Sequence, residues 1–395
     1  MHDADDVSRD GASGDRVSSD DGLAGDAAAA SLAAKLRLSM TSGIGPRLTQ
    51  LLLTRFGSAE AIFRASEDEL QSVPGIGPKL STELIRARTE VDPAAELRLC
   101  RERGIAVVAR DTPQYPRWLA EIPDPPTVMF VQGTIKPQDA VAVAIVGSRH
   151  ATSYGIQTAQ RLAEGLARAG VTVVSGLARG IDAAAHRGAL DAGGRTFAVL
   201  GSGLGKIYPP EHKDLALDIV QNGALISESS VLTEPIAGAF PQRNRIIAGL
   251  SLGVIVVEAA FRSGALITAR HAYEQNRDVF AVPGRIDSNL SHGCHQLLRD
   301  GAKLVESVDD ILEELGPLPE AAQQPSGPAV HKPAELLLNA NEKLVLQAIG
   351  ENRVTTVDEL IACSGLAVAQ VLTTISVLEM RRLLTRVSGN SVMRL

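Results

Sequence analysis

Val141-Ala142-Val143-Ala144-Ile145-Val146-Gly147-Ser148-Arg149 opens the part of the chain that decides the fold. Six consecutive apolar residues, with no polar residue at alternate positions, read as a strand buried on both faces. The glycine, serine and arginine behind it read as an anion-receptive turn, because glycine lets backbone amides approach a ligand closely. Five further short apolar runs follow at 171–174, 196–200, 224–226, 253–257 and 278–282. Helical stretches alternate with them at 154–169, 181–190, 211–221, 245–250, 265–275 and 296–299. Strands and helices in that order imply an α/β fold, a doubly wound parallel sheet covered on both sides. Ligands of such sheets bind outside the carboxyl ends of the strands.

Two more glycine-rich turns sit at those ends, Ser175-Gly176-Leu177-Ala178-Arg179-Gly180-Ile181-Asp182 and Gly201-Ser202-Gly203-Leu204-Gly205-Lys206. Arg243-Asn244-Arg245 follows, and Ser263-Gly264 begins another helix. Helix starts carry partial positive charge, and arginine offers forked donors matched to phosphate oxygens. Several such features on one rim make a surface for a phosphate chain. The candidate contacts are Gly147, Ser148, Arg149, Ser175, Gly176, Arg179, Gly201, Gly203, Lys206, Arg243, Asn244, Arg245, Ser263 and Gly264. Asp182 is expected to accept backbone N–H bonds and to contact His186 one helical turn on, and Glu258 to orient Arg243 or Arg245. No catalytic group is assigned.

The rival ligands fit less well. The first turn lacks G-x-G-x-x-G, and the second strand ends in Ser175-Gly176, not in the acid that grips a ribose, so no nicotinamide or other cofactor is expected. Ser291-His292-Gly293-Cys294-His295 lacks further ligands at metal-site spacing, so no metal is expected. The only tryptophan, Trp118, reads as a packing anchor.

The 395 residues are 45% hydrophobic and 22% charged, ordinary for a globular protein of several domains. The net charge of −7 is concentrated at one end. Residues 1–30 hold eight Asp and two Arg, a net of −6, which leaves −1 for the rest. Local basic clusters can therefore govern the field near a groove. Three scattered cysteines, no signal-peptide pattern and no bilayer-length apolar run are expected of a cytoplasmic protein without a membrane partner.

The flanks read as separate modules. Residues 1–30 are expected to be a disordered acidic tail. In 31–102, Ser42-Gly43-Ile44-Gly45-Pro46-Arg47-Leu48 recurs as Pro74-Gly75-Ile76-Gly77-Pro78-Lys79-Leu80, 32 residues later. This resembles the helix-hairpin-helix turn of SAM-like domains, whose amides can meet a DNA phosphate; two plain helix connections are the alternative. Residues 103–315 hold a proline-rich connector, to 135, and the sheet domain; 316–338 are a linker. Residues 339–395 read as three helices and a hairpin, a winged-helix pattern. Its second-last element starts Ala367-Val368-Ala369-Gln370 with no base until Arg381-Arg382, which suits a structural or protein-contact module better than a sequence reader.

From Tyr115-Pro116 to Gly301-Ala302 the ordered motifs quoted, with Phe240-Pro241 and Pro283-Gly284, resemble the DNA-processing protein A family (DprA, also called Smf). The resemblance implies an extended Rossmann-like domain and a non-enzymatic protein of natural transformation. Such a protein would bind and protect incoming single-stranded DNA, form a homodimer and load the recombinase RecA. It implies that Arg149, Lys206, Arg243 and Arg245, with the glycines of the three turns, form the DNA groove. With only 3% aromatic residues, backbone contacts should outweigh base stacking. The alternative is a Rossmann-like phosphoribohydrolase-type enzyme using Arg243, Glu258 and the Ser263–Thr268 stretch, although the Pro-Gly-Gly-x-Gly-Thr run of such enzymes is missing.

Overall fold

The computed structural model describes residues 20–316, 340–349, 354–380, 383–388 and 391–394. Two compact units divide at Arg98/Leu99. The first holds helices α1 (Asp20–Met40), α2 (Pro46–Phe56), α3 (Ala59–Ile62), α4 (Glu67–Gln71) and α5 (Pro78–Glu90), and the start of α6 (Pro93–Glu102). α1 begins at Asp20, inside the stretch 1–30 that was expected to be a disordered acidic tail. Its alanine-rich stretch favours helix, and acidic residues suit a helix start. Residues 1–19 lie outside the described ones.

The near-repeat folds as two matching turns. Gly43 and Gly75 adopt φ of 79° and 90°, left-handed values that only glycine takes without strain. A Cβ on Gly43 would meet Leu80 at 2.8 Å, and one on Gly75 would meet Leu48 at 3.0 Å. Leu48 and Leu80 are themselves equivalent in the repeat, so each turn is roofed by the other's helix. Gly45 and Gly77 precede α2 and α5, each with proline in the first turn, the placement proline tolerates best.

In the second unit a nine-stranded sheet has the order β1-β2-β6-β5-β4-β3-β7-β8-β9. The strands are β1 (Ile105–Ala109), β2 (Val128–Gly133), β3 (Ala142–Gly147), β4 (Thr172–Ser175), β5 (Thr196–Leu200), β6 (Gly223–Ser227), β7 (Gly253–Val257), β8 (Asp278–Ala281) and β9 (Lys303–Leu304). β3 to β9 run parallel, as expected. The connector is not only a connector: β2 pairs antiparallel with β6, and β1 antiparallel with β2, extending the sheet.

Alternate residues of β3 enter opposite cores. Ala142, Ala144 and Val146 face α7 (Arg117–Ala120), α11 (Ala239–Gly249), α12 (Gly264–Glu274) and α13 (His292–Arg299). Val141, Val143 and Ile145 face α8 (Ser153–Arg168), α9 (Ile181–Asp191) and α14 (Val308–Leu315). The remaining helix, α10 (Lys213–Gln221), leads into β6. Both strand faces are thus covered, which is why the run shows no alternation of polarity. Gly316, at φ 74°, ends α14; residues 317–339, most of the expected linker, lie outside the described ones.

The C-terminal module has α15 (Ala340–Ala348), β10 (Val354–Thr356), α16 (Val357–Ser364), α17 (Val368–Met380), β11 (Leu384–Ser388) and β12 (Ser391–Arg394). The three helices and the hairpin agree with the winged-helix pattern, and β10 adds a third strand beside β12. Gly389-Asn390 and Arg381-Arg382 lie outside the described residues.

Candidate nucleic-acid interface

The chain leaves β3 toward β4 on one side, and returns through α11 to β7 on the other. This reversal opens a crevice beyond the carboxyl ends of β3 and β7. A cavity of about 760 Å³ lies there. Gly147, Ser148 and Arg149 line it from β3, Phe240, Arg243 and Asn244 from α11, and Arg262, Ser263 and Gly264 from the start of α12.

The first turn is latched by Glu258. A Cβ on Gly147 would lie 1.8 Å from the Val257 carbonyl, so only glycine lets β3 and β7 end this close. Ser148 N donates to the Glu258 carbonyl at 2.7 Å. Thr152 N donates to the Glu258 carboxylate at 2.8 Å, and the Thr152 hydroxyl donates to its other oxygen. Thr152 in turn caps α8 by accepting from Gly155 N. The expected pairing of Glu258 with Arg243 or Arg245 is therefore not made. Glu258 is buried, faces the first turn and is not among the cavity-lining residues.

In the second turn, expected as an anion cradle, the Ser175 hydroxyl and the amides of residues 176–178 are engaged by the protein itself. Ser175 Oγ donates to the Ile145 carbonyl at 2.6 Å. Gly176 N and Ala178 N both donate to Asp182 Oδ2, at 3.1 and 3.3 Å. Leu177 N donates to His186 Nε2, and His212 Nδ1 donates to the Leu177 carbonyl. Asp182 thus accepts backbone N–H bonds, as expected, but His186 pairs with Thr196 at 2.7 Å and not with Asp182. Burial pushes His186 down to about 3, so the ring is uncharged. Burial pushes the Asp182 carboxyl up, against the pull of Arg243. A Cβ on Gly176 would lie 1.8 Å from Arg243 Nη1, so this glycine makes room for a guanidinium, not for a phosphate.

In the third turn, Gly201 lies under Phe240, and a Cβ on Gly203 would run into the Ser230 carbonyl at 2.0 Å. Lys206 pairs with Glu234 at 2.5 Å and Arg179 with Glu211 at 2.5 Å. Neither cation lines the cavity.

Arg243 and Arg245 part company. Two residues on a helix are about 200° apart, so both cannot face one side. Arg243 faces the cavity, donates Nη1 to the Val199 carbonyl at 2.6 Å, and keeps a buried Nε without a protein partner. Its burial, with Arg149 nearby, pushes it down to about 10, which leaves it charged near neutrality. Arg245 is buried against Asp124 at 3.3 Å and Glu228 at 2.5 Å, and is not among the lining residues. Expected in the groove, it stands here in an ion pair beside the cavity-lining stretch of α11.

Exposed Arg149 lies over the Phe240 ring at 5.4 Å, and Arg243 reaches the same ring at 6.0 Å. Tyr208 tilts against it at 5.7 Å. Asn244 donates to the Gly264 carbonyl at 3.2 Å and ties α11 to the start of α12. Ser263 caps α12 through Ala265 N, and a Cβ on Gly264 would meet nothing within 4 Å. Arg262, Phe240, Tyr208 and His150 also line the cavity and escaped the sequence-based assignment. For Arg262 a signal existed: it is a cation directly before a serine helix cap.

Outside this crevice, Cys294 is buried and its thiol is pushed up to about 11, while His295 donates to the Gly284 carbonyl at 3.0 Å. Among the described residues, no three His, Cys, Asp or Glu side chains gather at a metal-sized site. None of the described helices is long and apolar enough to cross a membrane. Trp118 donates to the Ala140 carbonyl and lies under Arg277 at 5.0 Å, a packing role as expected.

A doubly wound α/β domain with an arginine-lined crevice at its switch point, flanked by helix-hairpin-helix and winged-helix modules, defines the class. The chain belongs to the DNA recombination-mediator protein A family, whose model matches residues 106–316. A SAM-like helix-hairpin-helix tandem matches 35–88 and a DprA winged-helix domain matches 328–390. Protein Smf of Synechocystis is 41% identical over 288 residues, 72% of each chain. DNA processing protein DprA of Streptococcus pneumoniae is 47% identical over 200 residues, 51% of this chain and 71% of the relative. The X-ray structure of DNA processing protein A from S. pneumoniae superposes with a TM-score of 0.62 at 37% identity, covering 71% of this chain and 95% of that one.

Proposed function

We propose that the chain binds single-stranded DNA across the crevice between β3 and β7, and acts without catalysis as a recombination mediator. The observation that carries the proposal is the convergence of Arg149, Arg243 and Arg262 with the open start of α12 on one cavity. Three guanidinium groups and the positive end of α12 offer more anion contacts than one phosphate needs, which suits successive phosphates of one strand. The Phe240 and Tyr208 rings add faces for a base. Of the candidate contacts, Gly147, Ser148, Arg149, Arg243, Asn244, Ser263 and Gly264 are retained for this role. Lys206 and Arg179 serve it only after leaving their glutamates. We extend the same proposal, on the family resemblance, to protection of incoming strands, loading of RecA and homodimerisation in the cytoplasm. A phosphoribohydrolase reading is disfavoured, because Thr152 engages both oxygens of Glu258.

The test is fluorescence anisotropy with a labelled oligonucleotide across a salt series, single-stranded against duplex. Binding should favour the single strand, and Arg149→Ala should weaken it while lowering the salt slope by about 0.7, one single-strand phosphate contact. Equal affinity and slope for the variant would remove Arg149 from the interface. Band shifts with RecA added test the loading step, which predicts a slower ternary complex on single strands only.

A further inference from the structure

One aromatic residue, standing in the chain between the cavity-lining Ala260 and Arg262, is left without a role by the groove itself. Phe261 is 63% exposed, more than any other phenylalanine or tyrosine among the described residues. It directly precedes Arg262, Ser263 and Gly264, which line the cavity and open α12. A lone exposed apolar side chain would need no explanation, but this ring is supported from behind. His292, the first residue of α13, lies 5.8 Å from it with the ring planes at 54°. Two contacts fix that support. Gly293 N donates to the Ala259 carbonyl at 2.7 Å, which pins the start of α13 two residues from Phe261. His292 Nε2 donates to the Ile286 carbonyl at 3.3 Å, which fixes the outer edge of the imidazole. A Cβ on Gly293 would meet the Ala259 carbonyl at 2.5 Å, so the approach depends on glycine.

We propose that Phe261, braced by His292, is a stacking platform for a nucleobase of the strand as it leaves the cavity on the α12 side. The proposal rests on the single-stranded DNA reading given above. A phosphate held by Arg262 and the α12 amides brings its own base within reach of the neighbouring ring. Any of the four bases offers a face, so the platform adds affinity without sequence choice. Tyr208 and Phe240 stand on the α11 side of the cavity, and Phe261 precedes α12, so aromatic faces flank the phosphate-binding stretch at both ends. A ring already held by a second ring loses little freedom on stacking, which favours its use as a binding element.

The experiment compares full-length wild type, Phe261→Ala, Phe261→Trp and Arg149→Ala by anisotropy. The probes are a thymidine oligonucleotide and an abasic strand of the same length, each across a salt series. Phe261→Ala should weaken thymidine-strand binding about five- to hundredfold with an unchanged salt slope. Binding of the abasic strand should stay at the wild-type level, and Phe261→Trp should retain the thymidine-strand affinity. Arg149→Ala should instead weaken both strands and lower the slope. Wild-type affinity in Phe261→Ala beside a loss in Arg149→Ala would overturn the platform and leave the groove intact. Equal weakening on both strands with a change in sedimentation mass would also overturn it, assigning Phe261 to a protein contact. Absence of single-strand binding by the wild type would overturn the platform and the groove together.

Discussion

Substituting Gly155 by alanine should have opposite effects on stability depending on what stands at position 258. Gly155 is in the first turn of α8, and the atoms nearest to a Cβ placed there are all from the Glu258 side chain. Oε2 would be 2.4 Å away and Cδ 2.5 Å, closer than unbonded atoms tolerate. The carboxylate cannot simply swing aside, because Thr152 holds it through its amide and its hydroxyl. Overpacking of this kind costs about 1–3 kcal/mol. Removing the carboxylate by Glu258→Ala should itself cost about 2 kcal/mol, the scale of a lost charge-assisted hydrogen bond in a buried site. In that background the space at residue 155 is free, and Gly155→Ala should gain about 0.5–1 kcal/mol from the lower backbone entropy of alanine in a helix. Residue 258 has φ 54° with either Glu or Ala, so backbone strain is common to all four proteins. Chemical denaturation of the four proteins gives the coupling energy, expected at about 1.5–4 kcal/mol. An effect of Gly155→Ala with the same sign and size in both backgrounds would refute the latch. Arg149 sits between the latched residues Ser148 and Thr152, so Glu258→Ala should also weaken single-strand binding.

Arg245→Ala should destabilise the fold by about 1.5–3 kcal/mol, since it leaves the half-buried carboxylates of Glu228 and Asp124 side by side without their shared counter-charge, yet should leave the salt slope of DNA binding unchanged. A lowered slope would return Arg245 to the groove. Glu211→Gln releases Arg179 from its ion pair and should raise single-strand affinity several-fold at low salt, with the gain fading as salt rises; weaker binding would show that Glu211 positions the turn. His186 has a folded pKa depressed to about 3, so the unfolded chain binds the extra proton between that value and about 6.5. Stability contributed by the neutral ring is complete above about pH 6.5 and is lost as pH falls toward 3, at up to about 1.4 kcal/mol per pH unit. Denaturation curves of wild type and His186→Gln should therefore converge on acidification, and parallel curves would contradict the buried neutral imidazole.

The parallel strands were legible because a strand buried on both faces is written in Val, Ile and Ala without interruption, and Ala142 to Val146 is such a run. β1 and β2 were not, since the prolines between them hide two edge strands inside what reads as a connector. α11 starts at Ala239, six residues before the expected 245, because Pro241 falls in its first turn, where proline lacks no needed donor. The glycines were legible as places of close approach, but sequence does not say what approaches. At Gly147 it is the Val257 carbonyl, at Gly176 the Arg243 guanidinium, and at Gly203 the Ser230 carbonyl. Likewise Arg243 and Arg245 look alike in a string, and only the helical turn between them separates a cavity residue from an ion pair. The position of the crevice at the strand tips was readable, and Arg262 had a signal in the serine cap behind it; the aromatic lining, contributed by side chains distant in sequence, had none.

α11 is gripped from two directions, by Val199 through Arg243 and by Asp124 through Arg245. Asp124 belongs to the segment joining β1 to β2, upstream of every parallel strand. An excised fragment beginning at the first of those strands would thus forfeit β1, β2 and one of the two carboxylates that hold Arg245. A fragment that keeps both strands and this carboxylate starts before Ile105, at the outer margin of the sheet.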